Sequence, residues 1–121
     1  MNTCRISLDD GRSAYRPGET ISGVVEWNGE TAPGQLELRL FWYTQGKGTQ
    51  DVGVAATQGI DTHGPDVRRP FRLVAPAHPP SLSGKLVSVC WAIELIGGDE
   101  VLRQELVIGP GAREVVLPRE P

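Results

Sequence analysis

In Gln35-Leu36-Glu37-Leu38-Arg39-Leu40-Phe41-Trp42-Tyr43 the apolar and polar side chains alternate almost without a break. Successive side chains of an extended strand point to opposite faces, so a period of two marks a half-buried strand, whereas a helix would repeat every 3.6 residues. Leu36, Leu38, Leu40 and Trp42 then share the face turned to the core. Phe41 and Tyr43 point away, beside Glu37 and Arg39.

The same period extends outward along the chain. Residues 20–27 bring Ile21, Gly23, Val25 and Trp27 together, and residues 85–96 form the longest expected strand. One of its faces holds Val87, Val89, Trp91, Ile93 and Leu95; the other holds Ser88, Cys90, Ala92 and Glu94. Shorter strands are expected at 5–8, 51–57, 67–74, 100–108 and 113–117, all rich in the β-branched and aromatic residues that suit a pleated surface. Turn clusters such as Arg16-Pro17-Gly18, Asn28-Gly29 and Gly109-Pro110-Gly111 separate them, and Ile96-Gly97-Gly98-Asp99-Glu100 reads as a tight hairpin. With 15 Gly and 10 Pro in 121 residues, turns are frequent and long helices are not expected. The expectation is one all-β domain over residues 1–121, an immunoglobulin-like sandwich of two antiparallel sheets. Trp27, Trp42 and Trp91 fall on its aliphatic faces and are assigned to the inter-sheet core.

The formal net charge is −3, the wrong sign for gripping phosphate backbones, so nucleic acid is not an expected partner. No apolar run approaches the length of a membrane span. Met1-Asn2-Thr3-Cys4-Arg5 leads directly into Ile6-Ser7-Leu8 without the apolar stretch of a secretory signal, and a cytoplasmic location is expected. Cys4 and Cys90 make no disulfide framework and are read as buried thiols.

Tyr15-Arg16-Pro17-Gly18-Glu19-Thr20-Ile21-Ser22-Gly23-Val24-Val25 resembles the opening of arrestin-type domains. Pro70-Phe71-Arg72-Leu73, followed by Pro79-Pro80-Ser81-Leu82-Ser83-Gly84-Lys85-Leu86, resembles that family's later turn into a long strand. Order and spacing match from about Ile6 to Ile108, with Leu82 standing where the family often has Phe. The resemblance is to a single N-terminal-type arrestin domain, with the sporulation-control and retromer-subunit relatives in view. It implies a sandwich that works by binding proteins, as adaptors and trafficking subunits do. The motifs themselves have scaffold roles: Pro17-Gly18 aims the chain into a strand, Gly23 marks a bulge or a close backbone approach, and Ser81 and Ser83 bond backbone groups.

Patterns associated with chemistry are weak. Gly46-Lys47-Gly48-Thr49 lacks the spacing of a phosphate loop and is read as a hairpin loop. Asp61, His63 and Asp66 share a loop, but with His78 as the only other histidine no metal site or nucleophile–base pair is assembled. No metal, cofactor or enzymatic activity is expected. Arg68, Arg69 and Arg72 read as a solvated strand face. Phe41 and Tyr43 with Arg39 are the candidate binding site for a protein partner, because aromatics flanked by charge on a sheet face have the composition of a docking patch; the other reading is that a loop or terminal segment covers the two aromatics. The expectation is a non-catalytic adaptor or scaffold domain binding through an exposed sheet face or edge strand, with edge strands also suited to pairing two copies as a homodimer. The alternative is a sandwich that binds a small molecule or carbohydrate, which a groove lined by exposed tryptophans would favour.

Overall fold

A computed structural model describes residues 3–29, 34–46, 48, 50–62, 64–84, 86–97 and 100–116. Among these residues ten strands follow in order: β1 (Thr3–Leu8), β2 (Ala14–Tyr15), β3 (Thr20–Asn28), β4 (Gln35–Gly46), β5 (Val52–Asp61), β6 (Val67–Val74), β7 (Leu82–Ser83), β8 (Val87–Gly97), β9 (Glu100–Ile108) and β10 (Val115–Val116). The smaller sheet has the order β1-β3-β6. The larger runs β10-β7-β8-β4-β5, with β9 on β8 and β2 on β9. All long strands pair antiparallel, as expected. Two short pairings, β2 with β9 and β10 with β7, are parallel. No hairpin can join strands that meet this way. The chain leaves the smaller sheet after β1, touches the larger one at β2, and returns for β3.

Alternation places the core. Ile21, Val25, Trp27, Phe71 and Leu73 of the smaller sheet face Leu36, Leu38, Leu40, Trp91, Ile93 and Leu95 of the larger, all buried. Trp91 is fully enclosed and its indole N–H donates to the Pro79 carbonyl over 2.7 Å. Trp42 packs against the core but is only half-buried, a departure from the expected third core tryptophan. Its indole lies over Gly53, where any Cβ would collide with the ring. The strand expected at 51–57 continues to Asp61, because the register of β4 carries it on: Gln35 pairs with Asp61 and Leu36 with Ile60. The strand expected from 113 shrinks to Val115–Val116, and Leu117 lies outside the described residues. Gly98 and Asp99 also lie outside them, but the flanking pair Gly97 and Glu100 sits in antiparallel register, as a hairpin requires.

The two motif segments hold the sandwich together. Arg16 to Glu19 form a turn with Pro17 at its second position and Gly18 at its third, at φ +87°. The Glu19 N–H donates to the Arg16 carbonyl over 3.1 Å. Gly and Pro occupy the places this turn type requires. The turn is tied to β6's end by the Gly18 N–H to the Ala75 carbonyl and the Ala75 N–H to the Glu19 carbonyl, each 2.8 Å. Glu19 accepts from Arg12 (3.1 Å) and from the Arg16 backbone N–H (2.6 Å). The Arg12 bond first, then that N–H, hold its carboxyl below the usual range. At Gly23 a Cβ would strike the Ser7 carbonyl and stand 3.0 Å from the Phe71 ring, so the close approach expected there is real. Ser81, buried, joins three strands. Its N–H donates to the Ile108 carbonyl (2.6 Å), its Oγ accepts the Ile108 N–H (2.9 Å), and its carbonyl accepts the Val115 N–H (2.7 Å).

Candidate functional site

The outer face of the larger sheet carries the candidate residues. Across it β5, β4, β8 and β9 lie side by side, and register sets the rows: Val54, Phe41, Ala92 and Glu105 in one, Thr57, Arg39, Glu94 and Arg103 in the next. Tyr43 stands between Val52 and Cys90. A register shift between Leu40 and Phe41 leaves the outward direction of Phe41 and Tyr43 intact while moving β5 by one residue.

Phe41 is not exposed. Only 6% of it is accessible: of the two readings, open pair or covered pair, the covered one holds for Phe41, and Tyr43 is half-buried. Among the described residues the cover of Phe41 is a side chain of the same sheet. It is Arg103 of β9, whose guanidinium lies 5.0 Å from the Phe41 ring centre and 5.2 Å from that of Tyr43. To reach them it crosses β8, and the residue of β8 opposite Phe41 is Ala92, small enough to let it pass and itself fully buried. A cation over aromatic faces is electrostatically favourable. The two rings stand 5.9 Å apart, tilted by 31°. Arg103 is held from its other side by Glu94 at 3.4 Å.

Tyr43 donates its hydroxyl to Glu105 over 2.8 Å. Burial first, then this bond to a carboxylate, push its pKa up to about 12, since both disfavour a phenolate. Cys90 sits in the same row with its Sγ 3.8 Å from Gln45 Oε1, and burial pushes the thiol up. Arg39, half-exposed, forms a 2.7 Å pair with Glu37 of its own strand. Beside them Val52 (66% accessible) and Val54 (55%) extend the aromatic floor toward the sheet edge. A hollow of about 420 Å³ opens here, lined by Arg39, Phe41, Tyr43, Asp51, Val54 and Arg103 among others.

Arg39, Phe41 and Tyr43 are thus brought to one place. Sequence reasoning missed Arg103, Glu94, Glu105, Val52 and Val54. Alternation along 100–108 puts Arg103 and Glu105 on one face, but nothing in the sequence says that this face continues that of Phe41 two strands away.

The other candidates remain apart. Asp61 and Asp66 are exposed, and Asp66 accepts the Gly29 N–H at 3.0 Å. His63 lies outside the described residues, as do Lys47 and Thr49. Among the described residues no group of His, Cys, Asp and Glu is arranged to hold a metal ion, and no helix is long and apolar enough to cross a membrane. The connection from β4 to β5 closes by the Thr44 N–H to the Asp51 carbonyl (3.0 Å) and the Asp51 N–H to Thr44 Oγ1 (2.9 Å). Arg68, Arg69 and Arg72 are exposed on β6. Cys4 and Cys90 are not joined in a disulfide, and both are half-buried rather than buried. Cys4 packs against the core beside Trp27 on the edge strand β1, and Cys90 lies beside Tyr43 on the outer face.

No protein-family model and no curated protein matches the chain. In structure it is similar to Spo0M, a sporulation control protein from Bacillus subtilis. The TM-score is 0.64 over 90% of this chain, at 18% identity. It is also similar to part of a β-glucosidase from Listeria innocua, with a TM-score of 0.53 over 97% of this chain at 13% identity. The chain spans about half the length of the first (49%) and 16% of the second. Likeness at such identities concerns the fold, and the fold is an arrestin-like β-sandwich.

Proposed function

We propose that this chain is a non-catalytic interaction domain, an adaptor or scaffold of the cytoplasm, that docks a protein partner on the outer face of its larger sheet around Arg39, Tyr43 and Phe41. The observation that carries this reading is the outer-face cluster. An aromatic pair sealed by Arg103 is continued by Val52 and Val54, and charged residues of both signs surround it. Apolar floor with a charged rim is the anatomy of a protein interface. The likeness to a sporulation control protein supports a regulatory rather than a chemical role. Two of the three tryptophans lie in the core and the third packs against it, which favours docking over sugar stacking. The small-molecule reading rests on the hollow alone.

The test is capture from the source cell's lysate, followed by titration of the purified partner. Wild type is compared with Arg39→Glu/Tyr43→Ala and, as a control on the opposite sheet, with Val74→Asp. Retention by wild type and control, with at least tenfold weaker binding by the double variant at unchanged unfolding midpoint, is the expected result. Equal binding by all three proteins would overturn the assignment of the face. No protein retained, together with a small ligand that protects Tyr43, would establish the alternative.

A further inference from the structure

The long strands with a free edge treat that edge in different ways. An edge strand presents unpaired N–H and C=O groups, and proteins blunt it with charge, proline or inward-pointing charged residues. β6 has all three: Arg68 and Arg72, Pro70 without a donor, and Arg69 in register with inward-facing Val25. β1 carries Arg5, and β9 carries Arg103 and Glu105, with β2 covering one end. β5 has its one charge, Asp61, at its far end: residues 52–60 hold neither charge nor proline, and among the described residues the strand pairs with β4 alone. Val52 and Val54 are exposed on it, as are Ala55 and Thr57.

From this we infer that β5 is an assembly edge, and that its occupant is β5 of a second copy, paired antiparallel about a two-fold axis. Such a pairing sets each residue of the strand against the same strand. Like charges directly opposite are destabilising, so each charge on a strand removes registers in which it could meet its own copy, and an uncharged run leaves them open. Among the described long edge strands β5 alone has such a run, over residues 52–60. A neutral edge also offers no charge by which to select a foreign strand. Pairing makes one continuous sheet of the two larger sheets and joins the Val52 and Val54 strips of both copies, extending the apolar floor that Tyr43 and Phe41 begin. The inference shares Val52 and Val54 with the docking face, but Arg39 and Tyr43, whose substitution tests that face, lie on β4 and not on this edge.

The test is the mass of the full chain in solution, by light scattering from micromolar to millimolar concentration. Wild type is expected near twice 13.1 kDa. Val54→Lys/Thr57→Lys and Val54→Glu/Thr57→Glu are each expected to be monomers, and mixing them in equal amounts is expected to restore a dimer by relieving the like-charge repulsion. Amide exchange provides a second measurement on the unmodified protein: the amides of residues 52–60 that face away from β4 become unprotected on dilution while those of β8 do not. Wild type that remains at 13.1 kDa throughout, or a Lys variant that stays dimeric, would overturn the inference.

Discussion

Arg103 governs what the outer face shows to solvent. Its guanidinium lies over Phe41 and Tyr43 while Glu94 holds it from the far side, so the apolar floor is closed by a charged side chain. Such a cover differs from a packed aliphatic, because it can swing into water without leaving a buried ion. Tyr43 is the reporter of this environment. An unperturbed tyrosine ionises near 10.0, and this one is held protonated to about 12. The folded state therefore binds a proton that the unfolded state has lost. The resulting stabilisation is complete below pH 10.0, falls as pH rises, and is gone above about 12. Titration followed at the Tyr43 ring carbon by NMR is expected to show that high midpoint, and Glu105→Gln is expected to lower it by removing the carboxylate that the phenol faces.

Among the elements, the short ones carry more than their length suggests. β7 and β10 contribute two residues each, yet Ser81, just before β7, bonds to both Ile108 and Val115. Its Oγ is the partner of a buried backbone N–H, and leaving such a donor unpaired costs about 1–3 kcal/mol. Ser81→Ala is expected to destabilise the domain by that amount in denaturant titration, whereas Ser83→Ala, in a half-buried position, changes little. The same comparison shows how the Pro79-Pro80-Ser81 segment works: it anchors the entry to β8, whose Trp91 takes the Pro79 carbonyl as its acceptor.

For the molecule as a whole, charge and assembly are the quantities to measure. The net charge is −3 and the one basic cluster, Arg68, Arg69 and Arg72, is spread over both faces of an edge strand. Affinity for duplex nucleic acid comes largely from cations that displace condensed counterions. No change in fluorescence anisotropy of a labelled duplex is expected even at low salt. Saturable binding there would contradict a protein-docking role for the domain.

Sequence alone determined the fold class, because a period of two in residues 35–43, 20–27 and 85–96 leaves no helical reading. The turn residues Pro17 and Gly18, and Gly23 within β3, were legible because each meets a local backbone demand. The candidate site was legible only in part. Alternation turned Phe41 and Tyr43 outward, but their cover comes from a residue of β9 that meets β4 across β8. The extent of β5 was equally hidden, because a strand without alternation takes its register from its neighbour. Which strand lies beside which, and so what covers Phe41 and which edge stays open, was decided by the tertiary structure. Strand order is a long-range property, and side-chain periodicity within a segment does not encode it.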